Sequence, residues 1–259
     1  MRDTGYCFVP RLLDDAATVW LRAAIDELGV CAAREVAAPT PRLVVVAEAR
    51  DRTQVCRYEH IRVVHPRLAE RLCSILSPML DDTCDRHMLL FKDKVNNKYP
   101  GGGGYRAHQD IVAYRSFGPR YHVTAMIAID AADENNGCLQ IAEGYREVAE
   151  RHPQAVAELI DGLPVFRYTW GDAGSHGDIV DDVAARFAWR PVPAAPGDVL
   201  LFDSFLPHYS KPNHSTRARR AMFLTFTSEE YGDWYERYYR EKLANPLDPR
   251  FHVSTPTRF

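Results

Sequence analysis

Tyr105-Arg106-Ala107-His108-Gln109-Asp110, directly after Pro100 and the four glycines Gly101 to Gly104, is the stretch on which the fold turns. On an extended strand, residues i and i+2 share one side. His108 and Asp110 therefore point to the same wall. A second imidazole from a distant strand would complete a facial set of two histidines and one carboxylate, which leaves three positions of an octahedral iron open. The bare pattern is weak by itself. With ten histidines and 35 acidic residues in 259, His-x-acid is expected about once by chance. A second match stands at His176-Gly177-Asp178. Context separates them: His108 precedes the apolar run Ile111-Val112-Ala113, whereas His176 sits among Gly174, Ser175 and Gly177, where the backbone is loose.

Outward from this segment the pattern is that of short strands. Across His87 to Tyr99, Lys92, Lys94, Asn96 and Lys98 fall on one face and Phe91, Asp93, Val95, Asn97 and Tyr99 on the other. Further strands are expected at 107–113, 121–130, 137–141, 198–203 and 220–228. Turn signals separate them: Glu134-Asn135-Asn136-Gly137, Pro196-Gly197-Asp198 and Pro212-Asn213. Many short strands punctuated by turns argue a sandwich or barrel. Residues 145–160 read as a helix. Residues 161–190 read as a long excursion of the kind that forms lids, with Arg167, Trp170 and His176 as candidate substrate contacts. The first 80 residues read as helix-rich, with one helix from Asp14-Asp15 to near Gly29 and another after Pro66 carrying Leu68, Leu72, Ile75 and Leu76 on one face. Leu43 to Ala47 is a short strand between them, and Tyr231 to Leu243 an aromatic helix. The expectation is one domain over 1–259, mostly β with flanking helices, its β-core at about 87–228.

The candidate third ligand is His208, in Pro207-His208-Tyr209-Ser210, after the turn at Pro196-Gly197-Asp198 and the apolar strand Val199 to Phe202. Eleven residues on, Arg219 leads into Met222-Phe223-Leu224-Thr225-Phe226. A guanidinium there would grip a carboxylate with two parallel hydrogen bonds; the cluster Arg217, Arg219, Arg220 reads equally as a solvated turn.

The order of these motifs, with Asn135-Asn136-Gly137-Cys138-Leu139-Gln140-Ile141 between them, resembles the phytanoyl-CoA dioxygenase superfamily. The resemblance is good over about 87–228 and looser in the flanking helices. It implies a double-stranded β-helix core, a jelly-roll and cupin relative, and a non-haem iron(II) enzyme using 2-oxoglutarate and O₂. Carried over by position, His108, Asp110 and His208 match the iron ligands. Arg219 matches the arginine that pairs with the far carboxylate of 2-oxoglutarate, with Ser210 beside it as a hydroxyl donor. Gln109 is implied to touch co-substrate or substrate. Lys94 and Asn96, on the polar face of strand 91–99, are candidates for co-substrate or substrate contact; the alternative for them is a solvated edge strand, where lysines are common. Phe91 to Gly102 is most similar to the bacterial branch with aminoethylphosphonate-type dioxygenases and natural-product hydroxylases. An intact Asp110 implies hydroxylation, or another oxidation begun at a C–H bond, because halogenating relatives replace that carboxylate. Where the family often has Pro-Gly-Ser-His, this chain has Ile141-Ala142-Glu143-Gly144-Tyr145-Arg146, which suggests a different rim built on Tyr145 or Arg146.

Composition bounds the rest. The 32 basic and 35 acidic residues give a formal charge of −3, too little basic excess for a nucleic-acid grip. The apolar runs are far shorter than the roughly 20 residues a membrane helix needs, and Met1 to Tyr6 opens no secretion signal. Six cysteines with no Cys-x-x-Cys read as reduced thiols of a cytoplasmic protein. The partner expected is a small anionic or zwitterionic molecule, such as an amino acid, a phosphonate or a natural-product intermediate. The rival reading is a cupin-like metal or small-molecule binding protein that does not turn over, or does not use 2-oxoglutarate.

Overall fold

The computed structural model describes residues 1, 3–37, 42–48, 51, 53–171, 176–245 and 248–251. The chain opens with β1 (Tyr6–Val9), α1 (Asp15–Ala37), β2 (Val44–Ala47), β3 (Val55–Glu59), α2 (Ile61–Val64) and α3 (Pro66–Cys84). There follow β4 (Met88–Lys98), β5 (Tyr105–His108), α4 (Ile111–Tyr114), β6 (His122–Ala128), β7 (Leu139–Glu143) and α5 (Tyr145–Arg151). Next come β8 (Val156–Ile160), β9 (Leu163–Phe166), α6 (Asp181–Ala184), β10 (Ala188–Val192), β11 (Val199–Asp203), β12 (His208–Ser210) and β13 (Arg219–Ser228). The last helix is α7 (Tyr235–Ala244), followed by a 3₁₀ turn at Pro249–Phe251.

Seven strands form a major sheet in the order β1-β11-β6-β13-β4-β3-β2, and four a minor sheet in the order β10-β7-β12-β5. All pairings are antiparallel. This is the jelly-roll architecture expected, with one change: β1, β2 and β3 bring the first 60 residues into the major sheet, so the sheet is wider than 87–228.

Period-two alternation assigns the faces. On β11, Val199 and Leu201 pack toward the helices while Leu200 and Phe202 pack between the sheets; on β13, Met222, Leu224 and Phe226 face the helices and Ala221 and Phe223 face inward. α3 closes the outer layer with Leu68, Leu72, Leu76 and Leu80, each fully buried. A leucine so buried contributes about 1.5–3 kcal/mol, as an upper estimate. Pro66 sits in the first turn of α3, where its missing N–H costs nothing, and the His65 ring accepts from Leu68 N–H at 3.2 Å.

Five local expectations are corrected. α1 continues eight residues past Gly29, because a helix glycine costs only about 1 kcal/mol and buried Ile25, Leu28 and Ala32 hold the helix on both sides of it. The strand expected at 107–113 ends at His108, and a helical turn follows. The helix expected over 145–160 stops at Arg151: Pro153 drives His152 out of the helical region (φ −134°, ψ 66°), and β8 begins at Val156. The excursion 161–190 contains β9, α6 and β10; its start is a tight hairpin, with Asp161 and Gly162 both at positive φ. The aromatic C-terminal helix starts at Tyr235, after a 3₁₀ turn at Glu229–Tyr231. All six cysteines are free. Among the described residues no helix is long and apolar enough to cross a membrane.

Candidate metal centre and its pocket

β5 and β12 are paired so that His108 and His208 are register partners, their ring centroids 4.2 Å apart. Asp110 arrives by a different route from strand alternation. It stands one residue before α4, in helical conformation (φ −62°, ψ −29°), and the turn swings its carboxylate back beside His108, with Oδ1 3.9 Å from Nε2. One ligand atom from each of the three lies within 4.8 Å of the others, and all three residues are buried. Among the described residues this is the only such group of three or more; His176 and Asp178 do not form one. Asp178 instead pairs with Arg106 at 3.7 Å, while Ile179 N–H donates to Ala107.

The donor set suits a divalent metal. Each histidine turns its Nδ1 to a backbone carbonyl, His108 to Arg106 at 2.7 Å and His208 to Leu206 at 3.0 Å, which leaves Nε2 for the centre. Burial, then the neighbouring His208, pushes the His108 ring down to about 3, and burial lowers His208. Burial raises Asp110, but His208, Lys94 and His108 outweigh it and hold the carboxyl below its usual range. Neutral imidazoles and an ionised carboxylate are the protonation states metal binding requires.

The pocket runs along the inner face of β4. The lysine and asparagine face expected to line it does so: Lys92, Lys94, Asn96 and Lys98 are all in its wall. β4 lies between β13 and β3, so the edge-strand alternative for Lys94 and Asn96 is excluded. At one end Arg219 pairs in register with Lys98. The Arg219 guanidinium donates to Gly137 O through Nη2, while its buried Nε has no partner. Lys98 Nζ donates to Ser210 Oγ at 2.8 Å and Lys211 O at 2.6 Å. Burial, then Arg219, pushes Lys98 well below the usual lysine range, a strain that an anion between the two cations would relieve. At the other end Glu59, fully buried, gathers Lys242 (2.6 Å), Arg57 (3.1 Å) and Lys92 (3.7 Å). Between the ends stands Lys94, pushed down to about 8 by burial and then by Lys92. The wall carries six basic side chains, Arg57, Lys92, Lys94, Lys98, Arg219 and Arg250; Glu59 offsets Arg57 and Lys92 and Asp248 offsets Arg250, so the preference for anionic guests comes chiefly from Lys94, Lys98 and Arg219.

Gln109 is a correction. Its side chain is fully buried away from the pocket and is used up by backbone: Nε2 donates to Pro164 O at 2.9 Å and Phe205 O at 2.5 Å, and Oε1 accepts from Phe166 N–H at 2.8 Å. Lying between two residues that face the centre, it faces the opposite way and clamps β9 and the β11–β12 connection behind them. Tyr145 and Arg146 are likewise not at the rim. Tyr145 is buried against Asp203, and Arg146 pairs with that carboxylate at 3.4 Å. Arg167 is ion-paired with Asp182, and Trp170 packs on His176 at 5.9 Å between ring centroids, neither in the pocket wall. Arg106 and Arg115, the latter ion-paired with Glu158, are not in that wall either. Gly104 shows what the glycine run is for: a Cβ there would sit 2.5 Å from Ser210 O, so only glycine lets β12 approach. Arg57, Arg250 and Phe251 line the pocket with no local sequence signal, whereas Lys92 and Lys98 carry one, their place in the β4 alternation.

Comparison with known proteins agrees with this geometry. A family model described as phytanoyl-CoA dioxygenase (PhyH) matches residues 1–221. A 2-aminoethylphosphonate dioxygenase of the uncultured bacterium HF130_AEPn_1 is 36% identical over 73% of the chain, a stretch that spans 64% of that relative's length. A methylphosphonate hydroxylase of Gimesia maris is 32% identical over 92% of the chain and 82% of its own length. In fold, the chain is similar to EctD from S. alaskensis, solved with 2-oxoglutarate and 5-hydroxyectoine (TM-score 0.68, 17% identity, 88% of this chain and 74% of that one). It is also similar to the epimerase SnoN, solved with Fe³⁺, alpha ketoglutarate and nogalamycin RO (TM-score 0.63, 16% identity, 100% and 93%).

Proposed function

The chain belongs to the phytanoyl-CoA dioxygenase family, iron(II)- and 2-oxoglutarate-dependent oxygenases, and from that premise we propose that it hydroxylates a small organophosphonate at a C–H bond. The observation that carries the proposal is the wall of β4, where cations flank the His108, Asp110 and His208 group on both sides. The names of the two relatives favour a phosphonate over a carboxylate guest.

In this reading His108, Asp110 and His208 hold the iron. Arg219 and Lys98 take the far carboxylate of 2-oxoglutarate, and Ser210 fixes the Lys98 ammonium. Iron with 2-oxoglutarate and O₂ supplies the oxidising power for insertion of oxygen into a C–H bond, with succinate and CO₂ as co-products. The chain's own residues bind, orient and exclude water. Lys94 and the side-chain amide N–H of Asn96, both in the pocket wall, receive the substrate's anionic head. Arg57 backs them with its buried Nη2, which has no hydrogen-bond partner. Holding the head there fixes which carbon faces the metal, so most of the catalytic benefit from the protein is orientation. Tyr114, Met126 and Phe223 keep the reacting end dry. The intact Asp110 supports hydroxylation over halogenation. The chain acts as one unit over 1–259 in this reading.

The test is anaerobic addition of Fe(II) and 2-oxoglutarate, followed by the visible charge-transfer band of the chelate. Absence of the band with iron bound would defeat the co-substrate assignment. Succinate release is then measured with a panel of alkyl- and aminoalkylphosphonates and the matching carboxylates. Stimulation by carboxylates alone would defeat the phosphonate assignment.

A further inference from the structure

The family match ends at residue 221, yet Arg250 and Phe251, well beyond it, line the same pocket as His108, Asp110 and His208. We propose that Phe251 is a specificity-determining residue: it forms the end wall that limits how long a substrate chain the pocket accepts. The inference rests on the reading above only in taking the space on the Lys94–Lys92 side of the triad as the substrate's.

The two ends of the pocket differ. The Lys98 end is taken up by Arg219, Ser210 and Tyr105. Toward the other end, Lys92 Nζ lies 5.6 Å from the Tyr114 ring centroid and 5.5 Å from that of Tyr238. Phe251 comes next, its ring 5.5 Å from Tyr238 and 6.1 Å from Phe117 between centroids. It is 4% exposed, so it ends the space instead of hanging over it. With the anionic head on Lys94 and the reacting carbon at the triad, the proposal sends the remaining chain toward Tyr114 and Phe251, both in the pocket wall.

The wall is fixed in place. α7 is tied to β3 by Lys242 Nζ to Glu59 at 2.6 Å, with both residues buried. It is tied to β4 by Tyr235 OH donating to Asp93 Oδ2 at 2.8 Å and by Tyr239 OH donating to Asp93 O at 2.6 Å. Arg250 grips Asp248 through Nη2 at 2.7 Å and reaches Glu241 on α7 at 3.6 Å. A rigid apolar wall separates guests by one methylene with a ratio of about 10- to 200-fold. A mobile flap would not.

The experiment is anaerobic calorimetry on the full chain loaded with Fe(II) and 2-oxoglutarate. Methyl-, ethyl-, propyl- and butylphosphonate are titrated, with the carboxylates of equal chain length in parallel, into wild type, Phe251→Val and Phe251→Trp. The expected result is a tenfold or larger shift in the affinity ratio of neighbouring lengths, toward longer chains for Val and shorter for Trp, with 2-oxoglutarate affinity unchanged. If Phe251→Val does not fold, the Trp variant alone still reads the sign. An identical length profile in all variants, or an equal loss at every length, overturns the proposal. If only carboxylates bind, the phosphonate assignment fails while the length comparison still decides the role of Phe251. If neither series binds any variant, the substrate side of the pocket is misassigned and the proposal falls with it.

Discussion

His108 and His208, one hundred positions apart, sit directly opposite each other across the β5–β12 ladder with their rings 4.2 Å apart. A slip of one residue would turn one imidazole to the far face, so strand register sets the geometry of the candidate metal centre. Mn(II) or Fe(II) at 100 times its dissociation constant is expected to stabilise the fold by about 2.7 kcal/mol. Asp110→Ala and His208→Ala should abolish that stabilisation, read as the metal-dependent rise in Tm. A full rise in either variant would place the metal elsewhere.

Arg219 and Lys98 are register partners at the end of the pocket assigned to 2-oxoglutarate. A hydrogen bond to a charged group is worth about 1.5–3 kcal/mol. Arg219→Ala and Lys98→Met should therefore each weaken 2-oxoglutarate binding by roughly 10- to 150-fold. Iron affinity, measured separately, should stay within about twofold in both. Equal loss of iron and 2-oxoglutarate would indicate misfolding and not a lost anchor.

Gln109 is fully buried and makes three hydrogen bonds to backbone groups. Gln109→Leu keeps the volume but strands two carbonyls and one N–H, each costing about 1–3 kcal/mol if left unmet. The expected loss is on the order of 3 kcal/mol in urea unfolding, with 2-oxoglutarate affinity of the folded fraction retained. A variant as stable as wild type but deficient in 2-oxoglutarate binding would restore the co-substrate role that the sequence suggested.

Asp203 gives a pH signature. Burial raises its carboxyl to about 6 despite Arg146 and the N–H groups of Phe205 and Leu206. Its folded value lies above the unfolded value of about 3.9. The folded state therefore holds the extra proton in between, and stability is lost as pH rises through that window. Relative to Asp203→Asn, wild type should lose on the order of 3 kcal/mol between about pH 4 and pH 6. Parallel stability curves for the two proteins would show that Asp203 titrates normally.

Much of the fold was readable because its signal is local. The alternation on β4, the apolar runs of β11 and β13 and the turn at Pro196-Gly197-Asp198 depend only on neighbours in the chain, and they landed within a residue or two. Errors came where a short-range rule met a competing one. Gly29 was too weak a breaker for a helix with Ile25, Leu28 and Ala32 buried, and Pro153 ended a helix that periodicity alone would have continued. The strand through 107–113 failed because Asp110 adopts helical backbone, though its carboxylate still reaches His108.

By itself the sequence determined which residue types were available for a metal and an anion, and which face of β4 carried the lysines, since side-chain direction on a strand follows from period two. Only the tertiary structure decided that His208 meets the His108 and Asp110 pair, that Gln109 turns its back on them, and that Arg57 and Phe251 join the same pocket. Those relationships depend on hydrogen-bond register and packing between segments 39 to 183 positions apart, and no local periodicity encodes the pairing of one distant segment with another.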